Sequence, residues 1–262
     1  MITVREVTEE NLEDTFRVCS RNKLDDPRQR KGIAIKRQWV KRMLRDRGPV
    51  SMIAYLEGEP AAYVMYYPEE ALPYEPHPRK GVLRVECIYN SSPEARGKGV
   101  GKALLSHLIA EATKGLTCME GECRFLAAEA FNTGEGVGME DFYISGGFTR
   151  GEEELYYLIH GEYEPKARVS YEPTEEDRGK GIVFYNRNCE YSYLFALRIE
   201  EALREAAPDL PLTFVDMWER PMDSARRGVS YLLVNAKPIK SFTGDKEAFR
   251  AEVQEALKPR GA

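Results

Sequence analysis

Polar and apolar positions alternate over "ITVREVT" near the start of the chain, the period of a strand with one face inward. The period then lengthens. Leu12, Phe16 and Cys19 fall on one helical face, with Thr8 as the expected N-cap. A second helix is expected from Ile35 to Arg45, its stripe formed by Trp39, Val40, Met43 and Leu44. "SMIAYLEGEPAAYVMYY" predicts two strands joined by a turn at Gly58-Glu59-Pro60. "PEEALPYEPHPRKG" is proline-rich loop, and "VLRVECIY" a strand. Leu104, Leu105, Leu108, Ile109 and Ala112 then recur at helical spacing. "CRFLAAEAF" predicts a strand, "GMEDFYISGGF" a short helix stopped by glycine, and "EELYYLIH" another strand.

From Gly161 the periodicity stops. Residues 162–180 are polar and irregular and are read as a linker between units at 1–161 and 181–262. Beyond it the order is strand ("GIVFYN"), helix ("CEYSYLFALRIEEALREAA"), strand ("LTFVDM") and a helical turn ("MDSARRG"). A strand pair around Ala236-Lys237 follows, then a closing helix with Phe249, Val253, Ala256 and Leu257 on one face.

A chain of 262 residues with 42% hydrophobic and 31% charged positions can build packed cores under a soluble surface. Its net charge of −5 supplies no basic field for nucleic acid or anionic membranes. The acidic start carries no signal-peptide pattern, and no apolar run approaches a membrane span, so a cytoplasmic location is expected. The five cysteines and three histidines are too scattered for a disulfide framework, a catalytic triad or a metal centre, and no metal is expected.

The densest chemistry lies in "ARGKGVGKALLSHLIAEA", where glycines precede an apolar helix. The first N–H groups of a helix lack internal partners, and the macrodipole adds positive potential there. Glycine lets an anion approach the main chain, so the segment is an expected phosphate site. The dinucleotide fingerprint fails, because Lys102 and Leu104 stand where its last glycine would be. The P-loop fails because Ala103 follows Gly101-Lys102.

Arg96-Gly97-Lys98-Gly99-Val100-Gly101 resembles the R/Q-x-x-G-x-G/A signature of the GNAT acyltransferases, which cradles the pyrophosphate of acetyl-CoA. Pro93 ahead of it and "FYISGGF" downstream resemble further family positions, as does the order of elements over residues 1–161. The resemblance implies an α/β GNAT fold, a mixed and mostly antiparallel sheet flanked by helices. It implies acetyl-CoA as cosubstrate, bound by Arg96, Gly97, Lys98, Gly99, Val100, Gly101, Lys102 and Asn132. It implies Tyr143 as the acid that protonates the departing thiolate. An oxyanion-binding N–H is placed near Ser91, where the fourth strand is expected to bulge and splay from the fifth. Glu86 is the preferred candidate base, ahead of Glu129, with a water chain as the alternative. The acceptor would be an amine of a small molecule or peptide.

In the second half, Cys189-Glu190-Tyr191-Ser192 resembles the C-x-x-S form of thioredoxin-like proteins, though Ser230 stands where those carry a cis-proline. Together the halves resemble the YoaP-like acetyltransferase class, which implies a small thioredoxin-like α/β domain after the GNAT fold. Cys189 at a helix start, if exposed, would have a lowered thiol pKa. Three readings stay open for it: a structural cysteine, a monothiol that engages thiols, or a ligand-binding group. For the whole chain, an acyl-CoA sensor without turnover and a thiol oxidoreductase centred on Cys189 are the alternatives to an N-acetyltransferase.

Overall fold

The computed structural model describes residues 1–90, 92–130, 138–228 and 231–258, and the chain divides into two compact units. The first comprises residues 1–26, 37–72 and 77–167; the second comprises 27–36, 73–76 and 168–262. Ser91, Asn132 and Ser230 lie outside the described residues.

The first unit is built on strands β1 (Ile2–Glu6), β2 (Ser51–Leu56), β3 (Glu59–Pro68), β4 (Val82–Asn90), β5 (Phe125–Ala128), β6 (Thr149–Arg150) and β7 (Leu155–Leu158). They form a 7-stranded sheet in the order β1-β2-β3-β4-β5-β7-β6. Only β4 and β5 run parallel among these pairs. The helices are α1 (Leu12–Cys19), α2 (Pro27–Arg47), α3 (Val100–Lys114) and α4 (Met139–Ser145). β2 and β3 read as continuous buried runs because both faces of the central sheet are covered. On α3 the buried positions are Val100, Leu104, Leu105, Leu108 and Ala112, which pack toward β1 through β4.

Local details depart from the sequence reading. Thr8 does not cap α1. Its N–H donates to Asn11 Oδ1 at 2.7 Å, which closes a turn, and the helix begins only at Leu12. α2 starts at Pro27 rather than near Ile35, because its polar first turns are held by tertiary contacts and not by an apolar stripe. The β2–β3 turn is Glu57-Gly58, at φ 55° and 89°. Two positive φ values suit a tight hairpin whose twist matches its strands. β5 covers only the middle of its expected segment.

The second unit holds β8 (Gly181–Tyr185), α5 (Glu190–Ala206), β9 (Leu212–Asp216), α6 (Pro221–Ala225), β10 (Leu232–Val234), β11 (Lys237–Pro238) and α7 (Lys246–Leu257). Its 4-stranded sheet has the order β11-β10-β8-β9, with β8 and β9 parallel and β10 antiparallel to β8. The strand period of two splits the core. Val183 faces Ile199, Leu203, Phe249 and Val253, while Ile182 and Phe184 face Val215 and Met217. The β10–β11 turn falls at Asn235-Ala236, one residue earlier than expected. Residues inside the expected linker are ordered against this unit. Asp177 is fully buried and accepts bonds from Arg227 and from the Tyr171 hydroxyl. Among the described residues no helix is long and apolar enough to cross a membrane.

Candidate functional site

The turn between β4 and α3 is dictated by Gly97 and Gly99, at φ 72° and 76°, where a side chain would be strained. A Cβ at either position would meet nothing within 4 Å, so the turn is open rather than packed. The Lys98 N–H donates to Ala95 O at 3.2 Å, and the Ala103 N–H to Gly99 O at 2.9 Å. Among the described residues, the N–H groups of Gly97, Gly99, Val100, Gly101 and Lys102 have no protein acceptor. Lys98 is therefore absent from the set of open amides, against the expectation for the whole turn. The side chains of Arg96, Lys98 and Lys102 are exposed and make no ion pair among the described residues. Open amides, a helix N-terminus and unpaired cations form an anion cradle.

The pairing of β4 with β5 runs from Val82 with Phe125 to Val85 with Ala128, where β5 ends. Among the described residues β4 continues to Asn90 paired with β3 alone. The β3–β4 register shifts at the same place: Met65 pairs with Cys87 and Tyr66 with Val85, so Glu86 is the extra residue of a bulge. The bulge and the end of the β4–β5 pairing therefore sit together at Glu86, five positions before Ser91 in the sequence.

Tyr143 is 1% exposed, its ring packed against Phe142 and Phe148 with centroids 5.6 and 5.0 Å away. Burial, with the fields of Cys87 and Glu86, pushes its phenol well above the usual tyrosine range. Cys87 and Glu86 thus face Tyr143 electrostatically. Among the described residues no group hydrogen-bonds its hydroxyl.

Glu86 and Glu129, the two candidate bases, converge on one guanidinium. Arg84 Nε lies 3.4 Å from Glu86, and Nη2 donates to Glu129. Burial raises the Glu129 carboxyl pKa, but the Arg84 charge and hydrogen bond outweigh it and leave the net shift downward. Arg84 was not singled out from the sequence. Its signal was the alternation Arg84, Glu86 within an otherwise apolar strand.

Cys189 sits at the N-cap of α5, but its thiol is pushed up rather than down. Burial is the largest cause, followed by the Glu190 charge, and the Lys36 charge opposes them. The neighbouring Glu190 is itself packed against Gly32 of α2, so closely that a Cβ there would lie 2.1 Å from Glu190 O. The Ser192 hydroxyl is also engaged, accepting the Asn186 N–H at 2.8 Å. Among the described residues no cluster of His, Cys, Asp or Glu could hold a metal ion.

Residues 7–134 match the sequence model described as the Acetyltransferase (GNAT) family, so this segment carries a GNAT acetyltransferase domain. No curated protein matches the chain. Among solved structures, an N-acetyltransferase from Staphylococcus aureus aligns at 16% identity and TM-score 0.42, over 61% of this chain and 99% of that one. The ribosomal-protein-S18-alanine N-acetyltransferase of Escherichia coli aligns at 16% identity and TM-score 0.42, over 63% and 97%. A GNAT family acetyltransferase from Brucella melitensis, solved in complex with acetyl-CoA, aligns at 13% identity and TM-score 0.40, over 66% and 96%.

Proposed function

We propose, from the premise that residues 7–134 carry a GNAT acetyltransferase domain, that the first unit moves an acetyl group from acetyl-CoA to an amine by direct attack. The open amides of Gly97, Gly99, Val100, Gly101 and Lys102 carry this reading. They fit a diphosphate, and each charge-assisted bond would contribute roughly 1.5–3 kcal/mol. Arg96, Lys98 and Lys102 add positive field at the same place.

Bound acetyl-CoA supplies a thioester as acyl donor. The strand segment after Glu86, which has lost β5 as a neighbour, can offer main-chain N–H groups toward the thioester oxygen. The amine must be neutral to attack. For a lysine-like amine this costs about 4.6 kcal/mol at pH 7. Glu86, at the bulge, accepts the amine's proton directly or through water. Tyr143, kept protonated by its raised pKa, donates a hydrogen bond to the departing sulfur. Full transfer would be uphill, because a thiol of pKa ~8.5 is the stronger acid. Tyr143 therefore stabilises the thiolate more than it neutralises it. The acceptor is an amine of a small molecule or peptide.

The β-α-β-α-β-β-α order and the β11-β10-β8-β9 sheet support a thioredoxin-like layout for the second unit, and with it the YoaP-like class. The raised thiol of Cys189 favours its structural reading over a redox one.

The test is calorimetry with coenzyme A, followed by thiol release from acetyl-CoA over a panel of amines. Micromolar binding with amine-dependent release is expected. Binding without release on any amine would favour a sensor, and absence of binding would sink the reading.

A further inference from the structure

We propose that Arg84 is a positioning residue of the transfer site: at the end of the β4–β5 pairing its guanidinium fixes the carboxylates of Glu86 and Glu129. The inference rests on the transfer reading above, in which Glu86 receives the amine's proton.

Arg84 pairs with Ala127, one step before the last β4–β5 pair. Glu86 and Glu129 each stand one residue beyond that last pair, Glu86 on β4 and Glu129 just past the end of β5. Glu86 is also the extra residue of the β3–β4 bulge. Arg84 Nε lies 3.4 Å from its carboxylate. Only a planar fork can hold both carboxylates at once, which a lysine ammonium cannot reproduce.

The surrounding charges leave Arg84 committed to this task. Glu69, 3.8 Å from Arg84 Nη1, is already held by Arg79, whose Nε lies 2.7 Å from it. Arg79 also bonds Glu154. Among the described residues Nη1 has no hydrogen-bond acceptor. Lys166 approaches Glu129 at 3.9 Å, and Tyr67 and Tyr143 face Arg84 and Glu86 respectively. Arg84 is 11% exposed, while Glu86 and Glu129 reach solvent at 26% and 57%. The carboxylates are therefore accessible to an incoming amine while their anchor is sealed.

Arg84→Gln removes the guanidinium that touches both carboxylates, and kcat is expected to fall about tenfold while the KM for acetyl-CoA stays unchanged. Arg84→Lys keeps the charge without the planar fork and is expected to recover only part of that loss. Glu129→Gln releases one arm of the fork by altering an exposed side chain. It is expected to lower kcat several-fold when Arg84 is present and to cost nothing further in Arg84→Gln, and it decides the matter alone if Arg84→Gln does not fold. A purely structural Arg84 would give losses that add. Additive losses, or an unchanged kcat in variants that still transfer acetyl groups, overturn this inference alone. Absence of transfer by the unsubstituted chain removes the parent reading, and this one with it.

Discussion

Lys36 and Glu190 form an ion pair at 2.9 Å with both side chains sealed from water, at 2% and 1% exposure. Removing one partner strands a buried charge. Lys36→Met is expected to destabilise the protein by about 3–5 kcal/mol, and replacing both partners with apolar residues should recover most of that. Chemical denaturation of the single and double variants measures the difference. A single variant as stable as the parent would show that water already reaches the pair.

Gly99 is left-handed and faces open space, so Gly99→Ala meets no clash in the protein itself. The strain is about 1–2 kcal/mol. The added methyl also stands where a phosphate would approach the main chain. Coenzyme A affinity should fall by more than tenfold, beyond what the small loss in melting temperature explains. Calorimetry and a thermal melt separate the two effects.

Tyr143→Phe deletes a hydroxyl that has no hydrogen-bond partner among the described residues. Stability should change by less than about 1 kcal/mol, whereas kcat should fall roughly 100-fold. The phenol's raised pKa keeps it protonated at pH values where a free tyrosine would ionise. Any alkaline limb below pH 10 is therefore expected to survive in Tyr143→Phe. Its disappearance would assign that limb to the tyrosine after all.

Burial pushes the thiols of Cys118 and Cys123 up to about 12, and that of Cys189 upward as well. Cys87 and Cys189 are half-buried, whereas Cys118 and Cys123 are buried. Iodoacetamide at pH 8 should therefore label Cys87 ahead of Cys118 and Cys123 in the folded protein, with Cys189 held back by its raised pKa. Mass spectrometry of tryptic peptides over time reads the order, and early labelling of Cys189 would revive its role as a reactive monothiol.

Asp177 has a lowered carboxyl pKa. Burial raises it, but bonds from Arg227 and Tyr171 outweigh that, so the folded value lies below the unfolded one. Its contribution is then fully present above about pH 4 and lost as pH falls through the lower folded value. Asp177→Asn should destabilise the second unit at pH 7 and make little difference near pH 2. Denaturation at the two pH values tests the sign.

These features were not equally legible in the sequence. The turn after β4 was readable because its cause is local: glycines at 97, 99 and 101 followed by an apolar helical stripe. Most strands announced themselves through alternation or continuous apolar runs. The first turns of α2 did not, since "PRQRKGIA" carries no stripe and is held by Lys36–Glu190 and Arg28–Glu201. The bulge at Glu86 depends on how β4 registers with β3, which neither strand encodes alone. Cys189 misled for a related reason. Its own neighbourhood promised a helix field on an exposed thiol, and its neighbour Glu190 is packed against a residue more than 150 positions away.

The intimate seat of Gly32 on the Glu190 carbonyl bears on anyone wishing to dissect this molecule. A fragment cut at residue 168 would discard Gly32 and Lys36, baring Glu190 and the Cys189 sulfur to water. Such a piece should be less stable and more thiol-reactive than the same residues in the intact chain. Adding back a peptide spanning residues 27–36 should quench that reactivity, because the scaffold is woven from two distant stretches of polypeptide.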